Sequence, residues 1–147
     1  MNHKTILLVE DNPDDVELTR IAFAEAGSEH QLTVVSDGAE AVDYLLGRGR
    51  YADRNTADLP TLVLLDLNLP KLDGREVLQA IRAETATRSL PVVVLTTSAE
   101  PFDVDEVYAL GANSYIQKPV EFERFVEVVR QIGLYWLALN QPPTTKP

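Results

Sequence analysis

The chain contains no cysteine, which excludes a disulfide framework and a thiolate metal site at once. It has only two histidines, His3 and His30, neither with another histidine nearby, and neither is assigned a role. Basic residues are scarce as well. Thirteen Lys and Arg stand against 23 Asp and Glu, a formal net charge of -10 that repels a phosphate backbone and an anionic membrane surface. Direct nucleic-acid binding is therefore not expected. There is no long hydrophobic run: the apolar stretch after Lys4 is too short for a signal sequence or a membrane span. Internal repeats and low-complexity tracts are missing too, and the expectation is a cytoplasmic protein with no membrane association.

What the sequence does have is enough apolar material for one core. At 147 residues, 45% of them hydrophobic, it is too short for two ordinary domains. Runs rich in Val, Ile and Leu occur at Thr5 to Glu10, Leu32 to Ser36, Thr61 to Asp66, Pro91 to Thr96 and Ser114 to Gln117. Most are continuously apolar, as in strands covered on both faces of a parallel sheet. Helical spacing marks Pro13 to Ala26, Ala39 to Leu46, Arg75 to Glu84, Asp103 to Leu110 and Glu121 to Leu139. Strands alternating with helices predict a doubly wound α/β fold, a five-stranded parallel sheet flanked by five helices.

In such sheets the ligand site lies beyond the carboxyl ends of the strands, near the point where strand order reverses. Each of four strands ends in polar residues: Glu10 and Asp11 after the first, Asp66 after the third, Thr96 and Thr97 at the fourth, Lys118 after the fifth. Carboxylates held together repel one another unless a cation neutralises them, and Mg²⁺ prefers such oxygen ligands together with a phosphate. The pocket therefore reads as a phosphoryl site. Lys118 offers a fixed positive charge and Thr96 a hydroxyl for the phosphoryl oxygens. With no Ser or Cys competing at the pocket centre, Asp66 is the carboxylate best placed to accept the group.

These segments resemble the receiver domains of two-component response regulators. "VEDNPDD" is similar to the family's acidic-pair segment, "LLDLNLPKLDG" to its phosphoacceptor loop, "VVVLTTS" to its switch-threonine strand and "YIQKP" to its aromatic and lysine strand. The resemblance implies a flavodoxin-like fold with Asp66 phosphorylated, and Mg²⁺ held by Asp11, Asp66 and the backbone carbonyl of Asn68, with Glu10 acting through a water. It gives Thr96 and Lys118 to the phosphoryl group and makes Thr96 and Tyr115 the switch. Residues 1–139 are then a single receiver domain and residues 140–147 an extended tail, with no output domain expected. The long connection Gly47 to Pro60 and the wording "LLDLNLP" resemble the stand-alone receivers that partner bacterial and cyanobacterial phytochrome histidine kinases. A sensor histidine kinase, here a bacteriophytochrome, is the implied partner.

Each of these residues also has a plainer explanation. Asp11 or Asn12 could cap the first helix ahead of Pro13, Asp66 could be a turn residue, Thr96 an ordinary strand residue and Lys118 a solvated lysine. Tyr115 could simply be core. Their shared position at strand ends favours the functional reading. Two other classes are weighed. A haloacid-dehalogenase-type phosphatase needs an acid two residues after its nucleophile, where this chain has Asn68; a flavodoxin-like cofactor binder needs a Ser/Thr/Gly-rich loop where this chain is acidic. The chain is thus read as turning over no external substrate. Its output is expected to be an interaction, either as a terminal signal, as a phosphorelay intermediate or as a degenerate receiver that only binds. In the last helix Phe122, Phe125, Val126, Val129 and Gly133 to Trp136 are spaced to face the sheet, while Val128, Ile132, Tyr135 and Leu139 widen the apolar face. A homodimer through the fourth helix, fifth strand and fifth helix is expected from that width, with the tail crossing the partner.

Overall fold

The computed structural model describes residues 4–25, 31–69 and 71–143. His3, His30, Pro70 and the last four tail residues lie outside these, as does the predicted first-helix end at Ala26. Five strands, β1 (Thr5–Val9), β2 (Gln31–Val35), β3 (Leu62–Leu65), β4 (Val92–Thr96) and β5 (Ser114–Gln117), alternate with α1 (Pro13–Glu25), α2 (Gly38–Leu46), α3 (Gly74–Ala83), α4 (Pro101–Ala109) and α5 (Phe122–Gly133). All strand pairs are parallel, in the order β2-β1-β3-β4-β5. The chain therefore reverses direction across the sheet between β1 and β3.

The continuous apolar runs follow from the period of two along a strand. Leu7, Val9, Val63, Leu65, Val92 and Val94 point to the side covered by α2, α3 and α4, where they meet Ala41, Leu45, Val77, Leu78, Ile81 and Val107. Ile6, Leu8, Leu62, Leu64, Val93 and Leu95 point to the other side and meet Ala22, Phe23, Phe125, Val126, Val129 and Ile132 of α1 and α5. Each of the Val, Leu, Ile and Phe side chains among them, fully buried, contributes about 1.5–3 kcal/mol of transfer free energy.

Helix α1 starts at the predicted Pro13 and α5 one residue after the predicted Glu121, whereas α2, α3 and α4 start earlier than helical spacing predicts, because local terminus chemistry and not apolar residues sets them. Asp37 accepts from Glu40 N–H at 2.8 Å and admits Gly38 as the first residue of α2. Asp73 and Glu76 form a reciprocal capping box that starts α3 at Gly74. Pro101 starts α4 two residues before the predicted Asp103, in the position where its missing N–H is harmless. The cap of α1 is Asn12, whose Oδ1 accepts from Asp14 N–H at 2.9 Å. Asp11 is left free for other work. The long connection after α2 folds back on that helix: a 3₁₀ turn at Gly49–Tyr51 carries Tyr51 to Glu40 at 2.6 Å, and the Arg54 guanidinium lies 4.1 Å from the Tyr44 ring centroid.

The last helix departs from the prediction. After Gly133 the segment Leu134–Leu139 is π-helical, and Asn140 N–H reaches back five residues to the Tyr135 carbonyl at 2.6 Å. A wider turn takes in an extra residue and shifts the phase of the apolar stripe. Leu137 is consequently buried and Trp136 only half-buried. Ile132, predicted on the outer set, is buried, whereas Phe122, at the first helical position ahead of the turn that meets the sheet, is exposed. Lys4 donates to the Leu137 carbonyl and ties this turn to the start of β1.

Candidate functional site

The strand order puts the ends of β1 and β3 side by side at the reversal, where an open parallel sheet forms its crevice. Val9 pairs in register with Leu65, so the next residues, Glu10 and Asp66, are neighbours. Glu10, Asp11 and Asp66 each offer a carboxylate oxygen within 4.8 Å of one another. Asp66 is the half-buried member, its N–H held by the Val9 carbonyl at 3.1 Å. Asn68, two residues on, is exposed and directs its N–H at Asp66 Oδ1 from 3.5 Å.

Glu10 is almost wholly buried. Burial pushes its carboxyl up to about 7, against the opposing pull of its hydrogen bond to Lys118. Lys118 is a half-buried residue whose side chain is largely covered, and its ammonium donates to Glu10 Oε1 at 2.6 Å and to Asp15 Oδ2 at 2.9 Å, while Asp66 Oδ2 lies at 3.8 Å. Burial alone would lower the Lys118 pKa; the hydrogen bonds its ammonium donates to Glu10 and Asp15 hold it above the ordinary lysine value.

Thr96 ends β4 with its hydroxyl fully buried and, among the described residues, without a hydrogen-bond partner. Tyr115 is half-buried against the core on the α4 side, and its hydroxyl donates to the Ser98 carbonyl at 2.9 Å. The sequence-derived residues Glu10, Asp11, Asp66, Lys118 and Thr96 therefore lie at the same edge of the sheet, with Tyr115 tied to the loop that follows Thr96.

Three contributors were not found by sequence reasoning. Asp15 partners Lys118, but an acidic residue in a first helical turn is already explained by the helix dipole, which hides it. Gly74 packs so tightly under the loop that a Cβ there would lie 2.5 Å from the Asp66 carbonyl oxygen. Its position in "LDG" after a strand was the available signal. Arg75 bonds Glu106 and, at 2.6 Å, Asp103, whose second oxygen accepts from Ser98 Oγ at 2.7 Å. Nothing in the local sequence pairs α3 with α4.

The donor set fits a hard divalent cation: it is all oxygen, and a buried carboxyl with a raised pKa gains from nearby positive charge. The response regulator receiver domain pattern matches residues 6–130. The chain belongs to the response regulator receiver family. Receivers are signalling modules, and this receiver is 43% identical over 138 residues to the probable methanogenesis regulatory protein FilR2 of Methanothrix harundinacea strain 6Ac, covering 94% of this chain and 86% of the relative. It is 40% identical over 134 residues to response regulator Rcp1 of Synechocystis, covering 91% and 89%. The phosphorylated cyanobacterial phytochrome response regulator RcpA superposes with a TM-score of 0.90 at 41% identity, covering 97% of this receiver and all of RcpA. Rcp1 in its Mn²⁺-bound form superposes at 0.87 with 38% identity, covering 96% and 99%. Among the described residues of this receiver no helix is long and apolar enough to cross a membrane.

Proposed function

We propose that this receiver is a single-domain response regulator that takes a phosphoryl group from a phosphohistidine of a sensor histidine kinase onto Asp66. The observation that carries the reading is the meeting of three carboxylates within 4.8 Å beside a buried ammonium. An Asp66 oxygen attacks phosphorus, an O–P bond forms, and the P–N bond breaks as the neutral imidazole of the kinase leaves. Asp11, Asp66 and the Asn68 carbonyl, with Glu10 through a water, would hold Mg²⁺, which when bound would supply positive charge for the phosphoryl oxygens. Thr96 has an unused hydroxyl to donate to one of those oxygens, and Lys118 has an ammonium to donate to another.

Drawing Thr96 toward the group pulls on the loop whose Ser98 carbonyl holds Tyr115, which gives the added charge a route to α4. The receiver assists its own phosphorylation and dephosphorylation and turns over no external substrate. Its position is cytoplasmic, where a phytochrome-type kinase is the partner, a choice supported by the likeness to RcpA. Signal leaves through protein contacts, including a homodimer formed by α4, β5 and α5. Incubation with acetyl phosphate and Mg²⁺ followed by intact-mass measurement tests the central claim. One phosphoryl group is expected on the parent and none on Asp66→Asn; a parent that gains none under these conditions refutes it.

A further inference from the structure

Lys118 has a difficult position under this function. Its ammonium shares a pocket with the carboxylates that must also hold a divalent cation, and two positive centres there repel each other. With its side chain only 9% exposed, Lys118 has little freedom to withdraw into water. Its nearest partner, Glu10, belongs to the acid cluster itself, at 2.6 Å. Asp15 is different. It sits in the first turn of α1, outside the cluster, and grips the same ammonium at 2.9 Å, whereas Asp66 is 3.8 Å away. The grip is itself braced: the Asp15 N–H leans on the Asn12 cap at 3.4 Å, and its carbonyl accepts from Thr19 Oγ1 at 2.7 Å.

We infer that Asp15 is a positioning residue that anchors Lys118 to the side of the acid cluster, so that ammonium and divalent cation occupy the site together. This rests on the phosphoacceptor reading and adds to it a residue that acts through Lys118 and touches neither metal nor phosphoryl group. When a cation takes up the charge of Glu10 and Asp66, Asp15 is the carboxylate left to Lys118. Without Asp15, the buried ammonium falls back on Glu10 and Asp66 and competes with the cation for their oxygens.

The test is a Mn²⁺ titration followed by the electron paramagnetic resonance signal of the free ion, on intact protein whose folding is checked by circular dichroism. Asp15→Asn, which keeps the shape and removes the charge, is expected to weaken Mn²⁺ binding about tenfold, the scale of one charge-assisted hydrogen bond. Asp14→Asn removes a charge from the same helical turn, at an exposed position with no contact to Lys118, and is expected to change affinity by less than about twofold. Asp15→Glu keeps the anchor and stays within about threefold of the parent. In a Lys118→Ala background Mn²⁺ binds more tightly than in the parent, and adding Asp15→Asn there costs less than about threefold.

Equal effects of Asp15→Asn and Asp14→Asn would overturn the inference, because the loss would then be generic charge. So would an undiminished Asp15→Asn loss in the Lys118→Ala background, or an Asp15→Glu variant as weak as Asp15→Asn. A parent that binds no Mn²⁺ is a separate result: it refutes the phosphoacceptor reading on which Asp15's role depends.

Discussion

Thr96 brings to the core a hydroxyl that is fully buried and unpartnered among the described residues, which costs about 1–3 kcal/mol relative to a satisfied or apolar group. A strand residue of that shape is most stable as valine. Thr96→Val is therefore expected to raise the urea midpoint, with unchanged slope, by about 1 kcal/mol of stability, and to lower the yield of acetyl-phosphate labelling in the same preparation. Glu10 makes a second cost visible through pH. Its carboxyl titrates at about 7 in the folded chain against 4.5 unfolded, so between those values the folded state keeps a proton that the unfolded state has lost. Stability contributed by Glu10 must then fall as pH rises through that window. Thermal melts in a chelating buffer should show the parent losing ground to Glu10→Gln from about pH 4.5 to about 7 and holding a constant gap above it. Glu10, Asp66 and Lys118 were legible in the sequence because each directly follows a strand. Asp15 was not, since the contact that defines it spans 103 positions.

Strands and helices differ in how openly the sequence declares them. Both faces of this sheet are covered, so β1, β3 and β4 are mainly apolar runs that stand out from their surroundings, while the edge strands β2 and β5 mix in polar residues. The starts of α2 and α3 are set by single side-chain caps, Asp37 and Asp73, which apolar spacing does not register, and the π turn at Leu134–Leu139 leaves the apolar period ambiguous. Contacts between helices were less legible still. Arg75 of α3 is held by Glu106 and Asp103 of α4, with Glu106 the main cause of its raised pKa, and Asp103 goes on to Ser98. Arg75→Ala thus leaves two half-buried carboxylates facing each other without their cation. We expect a loss of about 1–3 kcal/mol and, in hydrogen exchange, faster opening of α4 and of the loop carrying Ser98, while β1 and β3 keep the parent's protection. Uniform acceleration across all elements would mean that the pair supports the whole fold and gives α4 no separate hold.

At the scale of the molecule, charge and apolar surface oppose each other. Each chain carries a formal charge of -10, so two copies approach against mutual repulsion. Yet α5 and its π turn present Phe122, Tyr135 and Leu139 at 42%, 49% and 62% exposure, and Tyr135 lines an open groove of about 520 Å³ together with Ile116, Val128, Ile132 and Trp136. Strand β5 is one of the sheet's two edges and, among the described residues, pairs only with β4. Width of this kind marks an association surface more often than scattered side chains do. If the homodimer forms here, its apolar contacts act at short range, whereas the repulsion acts over roughly 10 Å at 0.1 M salt and is screened as salt rises. Dimerisation should consequently strengthen between about 0.05 and 0.5 M NaCl, the reverse of an assembly held by ion pairs. Tyr135→Asp and Leu139→Asp each add repulsion and remove apolar area, and each is expected to weaken association at least tenfold at every salt concentration. Sedimentation equilibrium across that range decides it: association that weakens with salt would point to ion pairs, and monomer throughout, phosphorylated or not, would end the dimer proposal while leaving the chemistry at Asp66 untouched.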